Sequence, residues 1–123
     1  MIKSINCDKL YRPIGPYSHS VLSNGFLYIS GQIGIDKNGN LVADILKETN
    51  QIMYNISCIL ENVNMNFSNI VKISIFLKNI KDFDIVNKTY MNYFNNNFPA
   101  RETLEVSALP LNANIEISAI ASI

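Results

Sequence analysis

Two arginines, Arg12 and Arg101, are the only side chains in this 123-residue sequence that offer a planar, two-pronged donor for an anion. Lysines carry the rest of the positive charge and are scattered along the chain. An arginine can bind a carboxylate through two parallel charge-assisted hydrogen bonds. Arg101 follows Pro99-Ala100 at the start of a predicted strand, which makes it a candidate for holding a substrate carboxylate.

Glu116 lies early in the next predicted strand, on its less apolar face. If that strand pairs with the strand of Arg101 or lies near it, the two side chains can converge. A partly desolvated glutamate can accept a proton from water, so the pair could hold a carboxylate and activate a water molecule. An ordinary Arg101–Glu116 ion pair explains the same pattern, and from spacing alone it is the favoured interpretation.

Two further stretches could line a site. Tyr17 follows Gly15-Pro16, a combination that fixes the backbone of a loop and holds the phenol in a defined place. Ser30-Gly31 ends an apolar strand, where a glycine permits close approach of a ligand to the backbone. Core packing of Tyr17 and a plain bulge at Gly31 are equally compatible with these patterns.

The elements that must position these residues follow from the hydrophobic pattern. Apolar residues at steps of three and four predict a helix from Leu46 to Val63 with Asp44 as N-cap. A second helix is predicted to begin near Asp82 and to be stopped by Pro99, with an apolar stripe that includes Tyr93 and Phe94. Alternating apolar and polar residues predict the strands. The strands are Met1–Ile5, a hairpin within 20–30 around Ser23-Asn24-Gly25, Val71–Leu77, Arg101–Val106 and Ile115–Ile123.

This order of elements predicts one α+β domain over residues 1–123, with a mixed sheet and two helices packed on one face. The other face would carry Phe76, Leu104 and Ile120 without a helix to cover them. An apolar face of that kind favours self-association.

Composition argues against several classes of function. Ten basic and ten acidic side chains cancel, so no overall field attracts nucleic acid or an anionic membrane. No apolar run approaches the ~20 residues of a membrane span, and residues 1–6 do not resemble a secretory signal. Cys7 and Cys58 show no pairing pattern, and His19 is the only histidine, so a reducing, cytoplasmic setting without a zinc site is expected.

Four stretches together resemble one family in order and spacing, the Rid family of reactive-intermediate deaminases (RidA-type, YjgF-like). Each stretch is modest alone, but their joint occurrence over essentially the whole chain is highly specific. The stretches are Gly15-Pro16-Tyr17-Ser18, Tyr28-Ile29-Ser30-Gly31-Gln32-Ile33, Phe98-Pro99-Ala100-Arg101 and Ile115-Glu116-Ile117-Ser118-Ala119-Ile120-Ala121.

The resemblance implies a chorismate-mutase-like fold assembled as a homotrimer, with three sites in clefts between subunits. It implies hydrolysis of 2-imino acids, such as 2-iminobutanoate and 2-iminopropanoate, to 2-oxo acids and ammonia, without metal or cofactor. Arg101 would bind the substrate carboxylate and Glu116 would orient or activate water. The implied substrate-binding residues are Tyr17, Ser30, Gly31, Asn87 and Thr103.

One position departs from the family pattern. Many members carry a cysteine two residues after the arginine, where this chain has Thr103. That position is thought to act through its main-chain carbonyl, which a threonine retains, so deaminase activity is still expected. Glu102 should point to the face opposite Arg101. Two alternatives stay open: a regulatory module that binds small carboxylates, and an endoribonuclease or translation inhibitor, which the zero net charge disfavours.

Overall fold

The computed structural model describes residues 1–42 and 44–123. Its six strands form one sheet in the order β1-β2-β3-β6-β4-β5, in which only β4 and β5 run parallel. The α+β prediction is therefore confirmed. The strands and helices are β1 (Ile2–Ile5), β2 (Ser20–Ser23), β3 (Phe26–Gln32), α1 (Ile45–Glu61), β4 (Ile70–Leu77), α2 (Phe83–Met91), β5 (Ala100–Glu105) and β6 (Ile115–Ser122).

The predicted hairpin joins β2 to β3 through a two-residue turn. Asn24 and Gly25 both have positive φ, at 52° and 80°. A tight turn between twisted antiparallel strands requires this conformation, and Asn-Gly adopts it at low cost. The turn sets the β2–β3 register, in which Ser20 pairs with Ile29.

Helix α1 begins as predicted, because the Asp44 side chain accepts a hydrogen bond from the Lys47 amide at 2.9 Å. The helix ends at Glu61, two residues before the predicted end. Its buried stripe packs on β3 and β6. Leu46 was assigned to this stripe but is 45% exposed, because it lies on the solvent side of the first turn.

Helix α2 differs more from the prediction. Asp82 lies at the N-cap position, but its side chain makes no capping hydrogen bond, and a 3₁₀ turn, Ile80–Asp82, runs directly into the helix. The helix ends at Met91, well before Pro99, and Phe94 lies beyond it. Asparagines with low helix propensity follow the helix end. Phe94 nevertheless packs on Tyr90, with ring centroids 4.9 Å apart, so the aromatic stripe joins the core without being helical.

The two sheet faces differ in cover. Alternate residues of β4 and β6, such as Ile73, Ile75 and Ile117, are buried beneath the helices. The opposite face, called the open face below, has no helix over it. It carries Phe76, Ile120 and an exposed Leu104, as predicted, and also an exposed Tyr28 on β3. Among the described residues, neither α1 nor α2 has the length and apolarity needed to cross a membrane.

Candidate functional site

Arg101 lies on the helix-covered face of β5, opposite Ile73 of β4, and reaches toward α2. Its Nη2 donates to the Asn87 side-chain oxygen at 2.6 Å. The guanidinium carbon lies 4.9 Å from the Tyr90 ring centroid and 5.6 Å from that of Phe83. A hydrogen bond on one side and aromatic faces beside it hold the planar group in a defined orientation.

The Arg101 guanidinium has no carboxylate partner within the described residues, where the ion pairs are Lys9–Glu61 and Lys72–Glu102. It opens on a cavity of about 330 Å³. A fixed arginine that keeps free donors beside a mostly apolar cavity is suited to hold a small anion. The lining residues are Asn87, Tyr90, Met91, Phe98, Pro99 and Arg101.

Thr103 lies two residues further along β5, on the same face as Arg101. Its hydroxyl oxygen is buried and has no hydrogen-bond partner. Glu102, between them, points to the open face as predicted. There it accepts from the Ser74 hydroxyl and lies 3.0 Å from the Lys72 ammonium, and these contacts, the Ser74 bond foremost, lower the pKa of its carboxyl. Glu102 therefore does not cancel the Arg101 charge.

Glu116 lies on the open face of β6, opposite Phe76. The β3–β6 ladder carries one extra residue on β3 between Ile29 and Gln32. This bulge places Gly31 directly beneath the Glu116 side chain, since a Cβ built on Gly31 would be 2.5 Å from Glu116 Oε2. Gly31 therefore permits a close approach to the backbone, but the group that approaches is the carboxylate of this chain's own Glu116. Gly31 also lies in a β-bulge, so the plain-bulge alternative is correct as well.

The half-buried position of Glu116 affects its acidity. Burial raises the pKa of its carboxyl above the ordinary value, because the charged form loses solvation. A carboxylate with a raised pKa is a stronger base toward water than an exposed one. The group can therefore accept a proton more readily than a surface glutamate.

Ser30 and Tyr17 belong to the same end of the sheet. The Ser30 hydroxyl donates to the Ser18 carbonyl at 2.7 Å, which connects the loop before β2 to β3. The Ser30 oxygen can then accept a further hydrogen bond but cannot donate one. Tyr17 is exposed at the ring, and its hydroxyl accepts from the Ile14 amide at 3.4 Å. Tyr17 and Gly31 both line a small cavity of about 40 Å³. Core packing of Tyr17 is therefore wrong.

The predicted residues consequently form two groups in one chain. We call Arg101, Asn87 and Thr103, on the helix-covered face, the arginine group. Tyr17, Ser30, Gly31 and Glu116 form the glutamate group. The strands of Arg101 and Glu116 are not neighbours, because β4 lies between them. An ion pair between these residues within one chain is therefore excluded, and so is their convergence within one chain.

His19 has a structural function that the sequence did not reveal. A lone histidine without an acidic neighbour predicts a surface or sheet residue, but the His19 side chain is only 4% exposed. Nδ1 accepts from the Cys7 amide at 2.9 Å and Nε2 lies 2.9 Å from the Tyr11 carbonyl, so Nε2 carries the proton. His19 thereby fixes the segment that leads to Tyr17. Only the two backbone contacts reveal this function, and no sequence motif encodes them.

Metal-ligating side chains do not cluster: residues 1–42 and 44–123 contain no group of three or more His, Cys, Asp or Glu that could hold a metal ion. The polar side chains of the arginine and glutamate groups are one arginine, one asparagine, hydroxyl groups and one carboxylate. Such a set can bind an anion and move a proton.

Comparison with known proteins gives consistent results. A family model described as "Endoribonuclease L-PSP" matches residues 8–123. The human protein named 2-iminobutanoate/2-iminopropanoate deaminase is 46% identical over 119 residues, which cover 95% of this chain and 87% of the human protein. A RutC family protein of Buchnera aphidicola is 46% identical over 98% of this chain and 97% of its own length.

A solved structure gives the same result at the level of the fold. The crystal structure of YyfA from Yersinia pestis, described as a member of the conserved Rid protein family, superposes with a TM-score of 0.96. Its sequence is 43% identical, and the alignment covers 100% of both chains.

Proposed function

Because this chain belongs to the Rid family, whose family model carries the description endoribonuclease L-PSP, we propose that it hydrolyses 2-imino acids to 2-oxo acids and ammonia. The proposed substrates are 2-iminobutanoate and 2-iminopropanoate, the compounds in the name of the human relative. The observation that carries the proposal is the Arg101 guanidinium, held by Asn87 and left without a carboxylate partner at a cavity.

In the proposed reaction, Arg101 binds the substrate carboxylate and Glu116 takes a proton from a water molecule. The water oxygen bonds to C2 of the protonated imine, and the C–N bond then breaks. Glu116 returns its proton to the nitrogen, which leaves as ammonia with the electrons of the C–N bond. The hydroxyl on C2 then gives its proton to the Glu116 carboxylate, and C2 becomes the carbonyl carbon of a 2-oxo acid. The imine carbon is already electrophilic, so positioning and proton transfer are sufficient and no cofactor is needed.

The proposed site lies between two copies of the chain in a homotrimer. Arg101 and Glu116 lie on opposite faces of one sheet, so a site that uses both must combine the arginine group of one copy with the glutamate group of another. The open face supports the proposal, because Phe76, Ile120 and Tyr28 provide apolar surface that a second copy can cover. The proposed location is the cytoplasm, where the free, buried cysteines would stay reduced.

The test is the rate of 2-oxobutanoate release from enzymatically generated imine, with and without the protein. Arg101→Ala should lower kcat/KM on the order of 100-fold, since it removes one partner of a desolvated charge pair. Arg101→Lys should recover little of the lost kcat/KM, because lysine restores the charge without the planar, two-pronged donor. Lys9→Ala, which removes an exposed cation paired with Glu61, is the matched control. Unchanged acceleration with Arg101→Ala would refute the mechanism.

A second candidate is a regulatory module that binds 2-oxo or amino acids without turnover. The same Arg101 cavity supports it, since anion binding needs the fork and not Glu116. Saturable binding of 2-oxobutanoate together with no effect on imine hydrolysis would favour this function. RNA cleavage is disfavoured by zero net charge, which provides no track of cations for a phosphate backbone.

A further inference from the structure

Two buried hydroxyls flank Arg101 without partners. Among the residues that the structure describes, Tyr90 and Thr103 have the only buried side-chain nitrogen or oxygen atoms that lack a hydrogen bond. Buried hydroxyls are normally paired, because leaving one unpaired costs free energy. Both exceptions lie beside the one arginine that opens on the 330 Å³ cavity. This coincidence indicates a ligand that completes their hydrogen bonding.

Tyr90 offers the stronger case, because it lines the cavity and Thr103 does not. The Tyr90 ring centroid lies 4.9 Å from the Arg101 guanidinium carbon, and the Tyr90 hydroxyl has no hydrogen-bond partner. A guanidinium can only donate, so it cannot accept the phenol proton in any orientation. Arg101 can at most donate to the phenol oxygen, so the phenol proton has no acceptor in the described residues, and an anion bound by Arg101 would supply one.

We propose that the Tyr90 hydroxyl donates a hydrogen bond to the same carboxylate that Arg101 holds. The inference rests on the proposed function and assigns a second carboxylate-binding residue to that site. A carboxylate has about four acceptor positions, of which a bidentate arginine uses two, so two remain and one of them can accept from the phenol.

The ionisation of Tyr90 agrees with a donor function. Burial raises the pKa of the phenol, and the neighbouring Arg101 charge offsets only part of that effect. Tyr90 therefore keeps its proton throughout the neutral pH range, where the carboxylate is ionised. Donor and acceptor are both in the required state.

Tyr90→Phe tests the inference, because it removes the hydroxyl and keeps the ring beside Arg101. The matched control is Tyr93→Phe. The Tyr93 hydroxyl donates to the Asn50 side-chain oxygen at 2.5 Å, and Tyr93 does not line the cavity. We expect the dissociation constant for 2-oxobutanoate, measured by calorimetry, to rise about tenfold or more in Tyr90→Phe and to stay unchanged in Tyr93→Phe. KM should rise with kcat nearly constant.

A second readout separates ligand binding from a structural role. Because the hydroxyl is unpaired in the free protein, Tyr90→Phe should leave Tm unchanged or raise it, while reducing the increase in Tm caused by 2-oxobutanoate. Wild-type affinity in Tyr90→Phe, or a lower Tm with unchanged affinity, overturns the inference and leaves the proposed function intact. A wild-type protein that neither binds 2-oxobutanoate nor accelerates imine hydrolysis refutes the proposed function itself.

Discussion

Arg101 and Glu116 lie on opposite faces of one sheet, on two strands that both pair with β4. Arg101 is level with Ile73 of β4 and Glu116 with Phe76. The backbones are therefore separated by roughly 10 Å along the strands and 10 Å across them. Side chains that point away from each other cannot close this distance. Any chemistry that uses both needs a second copy of the chain.

Subunit complementation tests that requirement directly. Arg101→Ala and Glu116→Gln should each be nearly inactive as pure proteins, but the two unfolded together and refolded as a mixture should regain activity. With random assortment, about one quarter of the sites would combine an intact arginine group with an intact glutamate group. The measurement is the imine hydrolysis rate of the mixture against each parent. A mixture that forms mixed assemblies but is no more active than its parents would show that Arg101 and Glu116 do not act in one shared site.

Gly31→Ala should disturb Glu116 more than the fold. The added Cβ would lie 2.5 Å from Oε2 and 2.8 Å from Cδ of Glu116, and this flexible side-chain end can move aside. Displacement of the carboxylate by about 1 Å is expected to lower kcat about 100-fold with little change in Tm. Adding Gly31→Ala to Glu116→Gln should cause no further loss, and an additive loss would contradict the shared mechanism.

The pH dependence of activity should follow Glu116. Burial raises the pKa of this carboxyl, and catalysis needs its ionised form. The acid limb of kcat/KM is therefore expected above the usual range of a glutamate, and Glu116→Gln should remove it. A limb at the ordinary glutamate value would show that Glu116 is solvated in the assembled protein or is not the base.

The contribution of Glu116 to protein stability should depend on pH in the opposite sense to its contribution to activity. A raised carboxyl pKa in the folded state stabilises the protein below the unfolded-state pKa, and this contribution is lost as pH rises through the folded-state value. Glu116→Gln should therefore be more stable than the wild type at neutral pH, with a smaller difference in acid. Denaturant unfolding of both proteins at several pH values, at one protein concentration, measures this.

His19→Ala should destabilise the protein through the backbone groups that it leaves unpaired. The Cys7 amide and the Tyr11 carbonyl each lose a buried partner, which should cost about 2 kcal/mol in the free energy of unfolding. The segment carrying Tyr17 should also become more susceptible to protease. His19→Ala with wild-type stability and protease resistance would contradict the structural role. Ser57→Ala, a change at an exposed helix hydroxyl, serves as the control.

Local signals in the sequence predicted much of the fold. Asn24-Gly25 predicted its hairpin because that turn needs positive φ at both positions. The alternation predicted the buried residues of β6 and, from Ile73 onward, those of β4, but Val71 is 45% exposed beside a register shift between Ile70 and Lys72. Asp44 predicted the start of α1. Each of these signals depends on a few adjacent residues, whose preferences the tertiary structure did not override.

The sheet order could not be predicted in this way. β5 and β6 are consecutive in the sequence, yet β4 inserts between them, and the parallel β4–β5 pair follows from a crossover through α2. Non-local pairing of this kind leaves no periodic signal. The family resemblance named the residues of both groups as one site, and its expectation of sites between copies stays a prediction that is compatible with the opposite faces of Arg101 and Glu116.

The extra residue in β3 interrupts the β3–β6 ladder and at the same time positions Gly31 beneath the Glu116 carboxylate. A one-residue deletion between Ile29 and Gln32 would let β3 and β6 pair without interruption, and so would favour a more regular ladder. The same deletion would remove the recess in which the Glu116 carboxylate lies. The irregular ladder and the position of the Glu116 carboxylate are therefore coupled, and one deletion would change both.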